Sequence, residues 1–250
     1  MLHRLFIALF AFALLVPNVR AVDLSFLDQT AADKRLVGET VLLIGGPALR
    51  EWEDLREAGH RHDRWWANFI SATNIRTKEL IKKGVAPNTI VWLVPRPAYA
   101  ARQREDGSPY ITWINNLAKK NGVRTSWFSR SSEIVDYINR GQNRSSLPIV
   151  QFEYFGHSNK HAFMIDYSNR ISGVSVIFIH ERDLKKIKRK AFHPDAFIKS
   201  WGCHSGESFT AAWKRAIRIP MWGAIGKTDY VPCGRGQLPV LSNSSDRWVR

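Results

Sequence analysis

The stretch Ile149-Val150-Gln151-Phe152-Glu153-Tyr154-Phe155, followed by Gly156-His157-Ser158, decides the fold prediction. A short, largely apolar run that ends at a glycine is typical of a strand buried in a parallel sheet. Comparable runs are found at 40–44, 90–94, 123–128, 196–201 and 221–225. Polar-rich stretches with apolar residues at helical spacing lie between them, at 49–83, 110–120, 131–138 and 207–217. Strands that alternate with helices predict an α/β fold, a mostly parallel sheet with helices on both faces.

Three other segments carry local predictions. Residues 162–179 read as a hairpin that follows the strand at 149–155, and Arg102 to Pro109 reads as an exposed loop. A basic helix is expected between that hairpin and the strand at 196–201. These segments would connect the strands of the sheet.

The N-terminus has the order of a secretory signal peptide. A basic start at Arg4 precedes an apolar run that ends at Pro17, and Val19-Arg20-Ala21 resembles a cleavage site. We therefore predict a signal peptide over 1–21, a lead-in over 22–36 and a single domain over 37–250, in a secreted, periplasmic or extracellular protein. The alternative is an uncleaved membrane anchor, although the apolar run is shorter than the about 20 residues that span a bilayer.

The chain is strongly basic, with a formal charge of +15, of which residues 1–21 contribute two arginines and no acid. Such a charge favours acidic partners or anionic surfaces. The densest basic cluster is Lys185, Lys186, Lys188, Arg189 and Lys190. Its alternative interpretation is the solvated face of a helix, and no aromatic-interleaved nucleic-acid signature accompanies it.

Two strand ends carry reactive side chains. His157 follows the strand at 149–155, and Cys203 follows the strand at 196–201. If these strands are neighbours, the imidazole and the thiol emerge side by side, where the imidazole can help to form the nucleophilic thiolate. The backbone around Gly156, Gly202 and Gly206 could approach a substrate closely and expose N–H groups to an oxyanion.

The order of residues along the chain narrows the choice of catalytic partner. His204 is the last histidine, so a cysteine protease that needs a histidine well downstream of its nucleophile is excluded. The Gly-x-Ser-x-Gly elbow is also excluded, because the residue midway between Gly202 and Gly206 is His204. His157 is therefore the natural partner of Cys203.

Strand, Gly-His, hairpin, connecting helix, second strand and Gly-Cys-x-Ser-Gly together resemble the caspase-like cysteine peptidases. Residues 179–206 look most like the bacterial CHAT peptidase branch of that group, and the overall likeness spans roughly 37–230. The resemblance implies a caspase-like three-layer sandwich and a cysteine endopeptidase that forms an acyl-enzyme with a polypeptide substrate. It implies His157 as the acid and base, Cys203 as the nucleophile, and an oxyanion hole from the N–H groups of Cys203 and Ser158. No cofactor or metal is implied.

Two positions depart from the family pattern. The family usually has Gly directly after its histidine, where this chain has Ser158, and often has Ala before its cysteine, where this chain has Gly202. Ser158 could crowd the oxyanion hole or add a hydroxyl donor to it.

Alternatives to the catalytic reading remain open. His157 could lie in a simple turn, and Cys203 could be inert or form a disulfide with Cys233, in which case the protein would be a non-catalytic, secreted, basic binding module. His60-Arg61-His62-Asp63 suggests a metal site only weakly, because i and i+2 on a helix face different directions and the other ligands are missing.

Overall fold

The structure is a computed structural model that describes residues 36–57, 61, 63–171 and 173–250. The predicted signal peptide and lead-in residues 22–35 lie outside these residues, as do His60 and His62. The strands are β1 Glu39–Ile44, β2 Ile90–Pro95, β3 Arg124–Phe128, β4 Ile149–Phe155, β5 His157–Ser158, β6 Ala162–Asp166, β7 Ile177–His180, β8 Phe192–Ser200, β9 Gly223–Ile225, β10 Thr228–Asp229, β11 Val240–Leu241 and β12 Arg247–Val249. The α-helices are α1 Arg50–Asp54, α2 Asn68–Lys82, α3 Arg96–Asp106, α4 Tyr110–Asn121, α5 Ser131–Arg140 and α6 Phe209–Ile217.

Five strands form the central sheet, in the order β3-β2-β1-β4-β8, and every neighbouring pair is parallel. The chain moves outward from β1 through β2 to β3, then returns to the other side of β1 for β4 and β8. This order creates a switch point between β1 and β4, the place where open α/β sheets usually bind ligands beyond the strand ends.

Both faces of the sheet are covered, which explains why its strands are apolar almost without interruption. On one face, Val41 and Leu43 of β1 belong to a buried cluster that includes residues of α5 and α6. On the other face, Leu42 and Ile44 belong to a cluster that includes residues of α2, α3 and α4. The predicted α/β class and the mostly parallel sheet are therefore confirmed.

Smaller antiparallel sheets follow the central strands. β5, β6 and β7 form a three-stranded sheet directly after β4, so the predicted hairpin at 162–179 is present as β6 and β7. β9 pairs with β12, and β10 pairs with β11. Trp222, the residue before β9, forms a parallel bridge with Lys199 of β8. Residues Leu36–Arg250 form one compact unit, and no described helix is both long and apolar enough to cross a membrane.

The structure corrects several local predictions. The predicted exposed loop from Arg102 to Pro109 is wrong over its first half, because α3 continues to Asp106 and Arg102 is fully buried. The stretch 49–83 contains two described helices, α1 and α2. The strand expected at 196–201 begins earlier, at Phe192, and α6 begins at Phe209 rather than 207.

The basic cluster does not lie on an α-helix. Its five residues occupy the 3₁₀ turns Glu181–Lys186 and Arg189–Ala191 and the segment between them. All five are exposed, and Lys186 forms an ion pair with Asp183 at 2.7 Å. The chain returns to β8 directly after these turns, which leaves no room for a regular helix.

Candidate functional site

The loops that carry His157 and Cys203 are in direct contact. β4 and β8 are hydrogen-bonded neighbours, with Tyr154 opposite Ser200, so the two loops leave the same end of the sheet side by side. The Ser158 hydroxyl donates to the Cys203 carbonyl at 2.5 Å. A Cβ atom at Gly202 would lie 2.2 Å from Ser158 Oγ. Only a glycine at 202 therefore allows Ser158 to reach across to the cysteine loop.

A buried carboxylate orients the His157 ring. His157 Nε2 lies 2.7 Å from Asp63 Oδ2, and the same oxygen accepts the Ala48 N–H at 2.8 Å. Burial of the ring disfavours its protonation, but Asp63 outweighs burial, so the pKa of His157 lies above its ordinary value. Burial alone would raise the pKa of Asp63, but His157 and the Ala48 N–H hold it below its ordinary value. Nε2 therefore donates to an ionised carboxylate.

The sequence did not identify Asp63 as a partner of His157, because 94 positions separate the two residues. In the sequence, Asp63 stood out only as part of the weak metal pattern at 60–63. One signal was present in the sequence: Asp63 is an acidic residue in the segment that follows β1. Because β1 and β4 are parallel neighbours, both strands end at the edge of the sheet where His157 lies.

Arg102 and Glu53 hold the Asp63 backbone in place. The Arg102 guanidinium donates to the carbonyls of Asp63 and Ala48 at 2.8 Å and of Arg64 at 3.0 Å. The Glu53 carboxylate accepts the Asp63 N–H at 2.9 Å. Burial and the neighbouring Asp63 raise the pKa of Glu53. Asp63 is therefore fixed by contacts from both sides although it lies in a turn rather than in a helix or strand.

Aromatic rings hold the His157 imidazole edge-on. Phe69 and Tyr167 each make T-shaped contacts with it, at centroid distances of 5.0 Å and 5.1 Å. The Tyr154 hydroxyl donates to the His157 carbonyl at 2.6 Å. The side chain keeps 22% exposure, and within the described part of the chain Nδ1 has no hydrogen-bond partner. One ring nitrogen is thus held and the other is available.

The Cys203 thiol is half-buried and lies against Thr228. Its sulfur accepts the Thr228 N–H at 3.3 Å and lies 3.4 Å from Thr228 Oγ1 and 3.8 Å from the Thr228 carbonyl oxygen. Among the described residues, the sulfur makes no hydrogen bond with the His157 ring. The structure therefore brings the His157 loop and the Cys203 loop together, while the Cys203 sulfur contacts Thr228 rather than the imidazole.

Three of the backbone groups proposed as oxyanion support are already engaged. The Gly156 N–H donates to the Tyr230 hydroxyl at 3.2 Å, the Gly202 N–H to Ser200 Oγ at 3.2 Å, and the Gly206 N–H to the Ala224 carbonyl at 2.8 Å. In the described part of the chain the Cys203 N–H has no partner. Cys203 thus offers a free backbone donor next to its own sulfur.

Ser158 offers the second donor. Asn159 donates its N–H to the carbonyl of Ala162, the residue opposite it, so these two form a hydrogen-bonded pair. Along an antiparallel ladder, hydrogen-bonded pairs alternate with non-bonded pairs. Ser158, which lies opposite Phe163, is then in a non-bonded pair, and its N–H points away from β6. The available backbone donors are those of Cys203 and Ser158.

The turn after Cys203 is fixed by an unusual backbone conformation. His204 has φ = 58°, in the left-handed region that non-glycine residues seldom adopt. Its N–H donates to the Gly226 carbonyl at 2.7 Å, and its Nδ1 lies 2.5 Å from Glu207 Oε1. The bond to Gly226 ties the turn to the segment between β9 and β10, two residues before Thr228.

The disulfide alternative is wrong, because both cysteines are free thiols. Cys203 is held by Thr228, whereas Cys233 is buried in the cluster on the α2 face of the sheet. Burial raises the pKa of the Cys233 thiol to about 12, so it stays protonated at neutral pH. The two sulfurs thus occupy different environments.

The described residues contain no group of three or more His, Cys, Asp or Glu side chains that could hold a metal ion. The weak pattern at 60–63 includes His60 and His62, which are not described. Comparison with protein-family profiles, with curated protein sequences and with solved structures finds no match to this chain.

Proposed function

We propose that the protein is a cysteine endopeptidase of the caspase-like type, in which Cys203 is the nucleophile and His157 is the general acid and base. The observation that carries the proposal is the His157–Asp63 pair at 2.7 Å, on a loop that is hydrogen-bonded to the Cys203 loop. A buried carboxylate that fixes one imidazole nitrogen and leaves the other free is an arrangement suited to acid–base catalysis. Asp63 is the residue that orients the base.

The proposed reaction begins with transfer of the thiol proton from Cys203 to His157 Nδ1. The thiolate then attacks the peptide carbonyl carbon, and a C–S bond forms as the carbonyl oxygen becomes an oxyanion. The oxyanion collapses, the C–N bond breaks, and Nδ1 gives its proton to the leaving amine. Nδ1 then takes a proton from water, and the hydroxide attacks the thioester carbonyl carbon. The C–S bond breaks, the carboxyl product leaves, and Nδ1 returns the proton to the sulfur. Throughout, Nε2 donates to Asp63 and stabilises the charged ring.

The oxyanion would be held by the N–H groups of Cys203 and Ser158. These are the two donors left available after the hydrogen bonds of Gly156, Gly202 and Gly206 are accounted for. Donors already aimed at the developing charge lower the barrier without having to reorganise.

The two departures from the family pattern lie in contact with each other. Ser158 replaces the usual glycine and Gly202 replaces the frequent alanine, and an alanine Cβ at 202 would lie 2.2 Å from Ser158 Oγ. The same Cβ would also lie 2.9 Å from the Gly156 carbonyl oxygen, so Gly202 accommodates both Ser158 and the backbone after β4. The Ser158 hydroxyl donates to the Cys203 carbonyl, on the side of the cysteine loop. The backbone N–H of Ser158 points away from β6 and is accessible.

The test is hydrolysis of an unfolded, fluorescently labelled protein substrate by the purified chain. Cys203→Ala and His157→Ala should each abolish turnover, whereas Cys233→Ala, which removes the other thiol, should retain it. Mass spectrometry should detect an acyl-enzyme at the Cys203 peptide. Turnover that survives Cys203→Ala would overturn the proposal, as would wild-type protein that neither cleaves the substrate nor reacts faster at Cys203 than its His157→Ala variant.

We also propose that residues 1–21 direct export and are removed. The expected mature N-terminus is Val22, which N-terminal sequencing of the exported protein would reveal. Retention of residues 1–21 in a membrane fraction would instead support an anchor. The exposed basic cluster at 185–190 is proposed to contact acidic partners or surfaces, and salt-dependent retention on an anionic matrix, weakened by charge-reversing substitutions there, would test this.

A further inference from the structure

We propose that Thr228 stabilises the thiolate of Cys203, a role that builds on the proposed function. Thr228 lies 25 positions after the cysteine, at the start of β10, and is largely buried, with 7% exposure. Two of its groups face the sulfur: the N–H at 3.3 Å and the hydroxyl oxygen at 3.4 Å. Both groups can donate a hydrogen bond to a sulfur anion.

The hydroxyl can change its partner when the thiol ionises. Thr228 Oγ1 donates to the Trp201 carbonyl at 2.9 Å, so beside a protonated thiol it accepts the S–H. Once the thiol has lost its proton, the hydroxyl can rotate and donate to the sulfur. The Trp201 carbonyl does not lose its only donor, because the Tyr230 hydroxyl also donates to it, at 3.2 Å. The second donor makes the switch inexpensive.

The phenols near the sulfur carry no positive charge that could replace the hydrogen bonds from Thr228. The phenols of Tyr154, Tyr167 and Tyr230 lie within electrostatic range of the thiol. Burial raises the pKa of each phenol, so all three are neutral at pH 7. The basic side chains of the loops around the sulfur include His157, whose Nε2 is held by Asp63, His204, whose Nδ1 lies 2.5 Å from Glu207 Oε1, and Lys227. In the described part of the chain none of them hydrogen-bonds the sulfur. Direct hydrogen bonds from Thr228 are therefore the nearest stabilisation of the sulfur anion.

The experiment measures the rate of iodoacetamide alkylation of Cys203 in the full chain between pH 5 and 9, by peptide mass spectrometry. Thr228→Val should slow alkylation at pH 7 by about tenfold and move the rate profile to higher pH, because a hydrogen bond to a charged group is lost. Thr228→Ser should react like the wild type. Thr210→Val is the matched control, because Thr210 is also 7% exposed and donates to the Gly206 carbonyl without touching the sulfur.

Two further comparisons keep the outcome clear. If Thr228→Val unfolds, which rapid labelling of buried Cys233 would reveal, Thr228→Ser and Thr228→Ala still differ by the hydroxyl, and Ser should react about tenfold faster. The role of Thr228 would be overturned if folded Thr228→Val reacted as fast as the wild type, or if folded Thr228→Ala reacted as fast as Thr228→Ser. Failure of the proposed function has a different signature: Cys203 would react equally fast with and without His157.

Discussion

Asp63→Asn removes the buried charge opposite His157 while keeping the size of the side chain. Asp63 Oδ2 accepts from both His157 Nε2 and the Ala48 N–H, and an amide oxygen can take the same position. The substitution therefore changes charge more than shape. We expect the pKa of His157 to fall, because burial would still disfavour the charged ring and no carboxylate would offset it.

The expected size follows from the hydrogen bond that changes. A hydrogen bond to a charged group contributes about 1.5–3 kcal/mol. At about 1.4 kcal/mol for each factor of ten, peptide hydrolysis by Asp63→Asn should be about 10- to 150-fold slower than that of the wild type at neutral pH. The loss should appear in kcat, because the charged ring is formed during the reaction rather than on binding.

The same pair predicts how stability depends on pH. The folded pKa of His157 is raised, so its contribution is complete below about pH 6.5 and is lost as the pH rises through the folded value. The folded pKa of Asp63 is lowered, so its contribution is present above about pH 4 and is lost as the pH falls through the folded value. Asp63→Asn should therefore lose the most free energy of unfolding between about pH 4 and 6.5.

NMR titration of the His157 ring, urea unfolding at pH 5.5 and 8.5, and substrate hydrolysis measure these effects. Asp166→Asn is the matched control, because Asp166 is also buried but its carboxylate accepts from Ser168. The reasoning is refuted if Asp63→Asn leaves the titration of His157 unchanged, or if Asp166→Asn alters it equally.

Three more predictions concern the framework of the site. Gly202→Ala should lower the free energy of unfolding by about 1–3 kcal/mol in urea, because its Cβ would overlap Ser158 Oγ, and the double variant with Ser158→Gly should recover part of it, since the Gly156 carbonyl oxygen would still lie 2.9 Å from that Cβ; equal stability of the two variants would contradict this. Arg102→Met should cost about 3–5 kcal/mol in the same assay, because it leaves three backbone carbonyls without the guanidinium and removes one of the donors to Asp106, which Tyr110 and Arg50 still contact; a loss under 1 kcal/mol would count against it. Cys233 should resist alkylation at pH 8 in the native protein and react in urea, since burial raises the pKa of its thiol to about 12; rapid native labelling would show that the site is open.

Local patterns in the sequence predicted most of the sheet. The apolar runs at 40–44, 90–94 and 149–155 are strands in the structure, because only a strand covered on both faces requires such continuous apolar character. The prediction failed at Arg102, where charged residues suggested an exposed loop. Arg102 is buried because its guanidinium satisfies three backbone carbonyls and Asp106, contacts that no local pattern encodes.

The sequence by itself determined that His157 and Cys203 each follow a buried strand, since both features are local. Only the tertiary structure decided that β4 and β8 are neighbours, that Asp63 binds His157 and that Thr228 holds the Cys203 sulfur. Strand order and the paths of irregular segments are set by packing and loop closure across the whole domain. A polar contact between residues 94 positions apart leaves no trace in either local stretch.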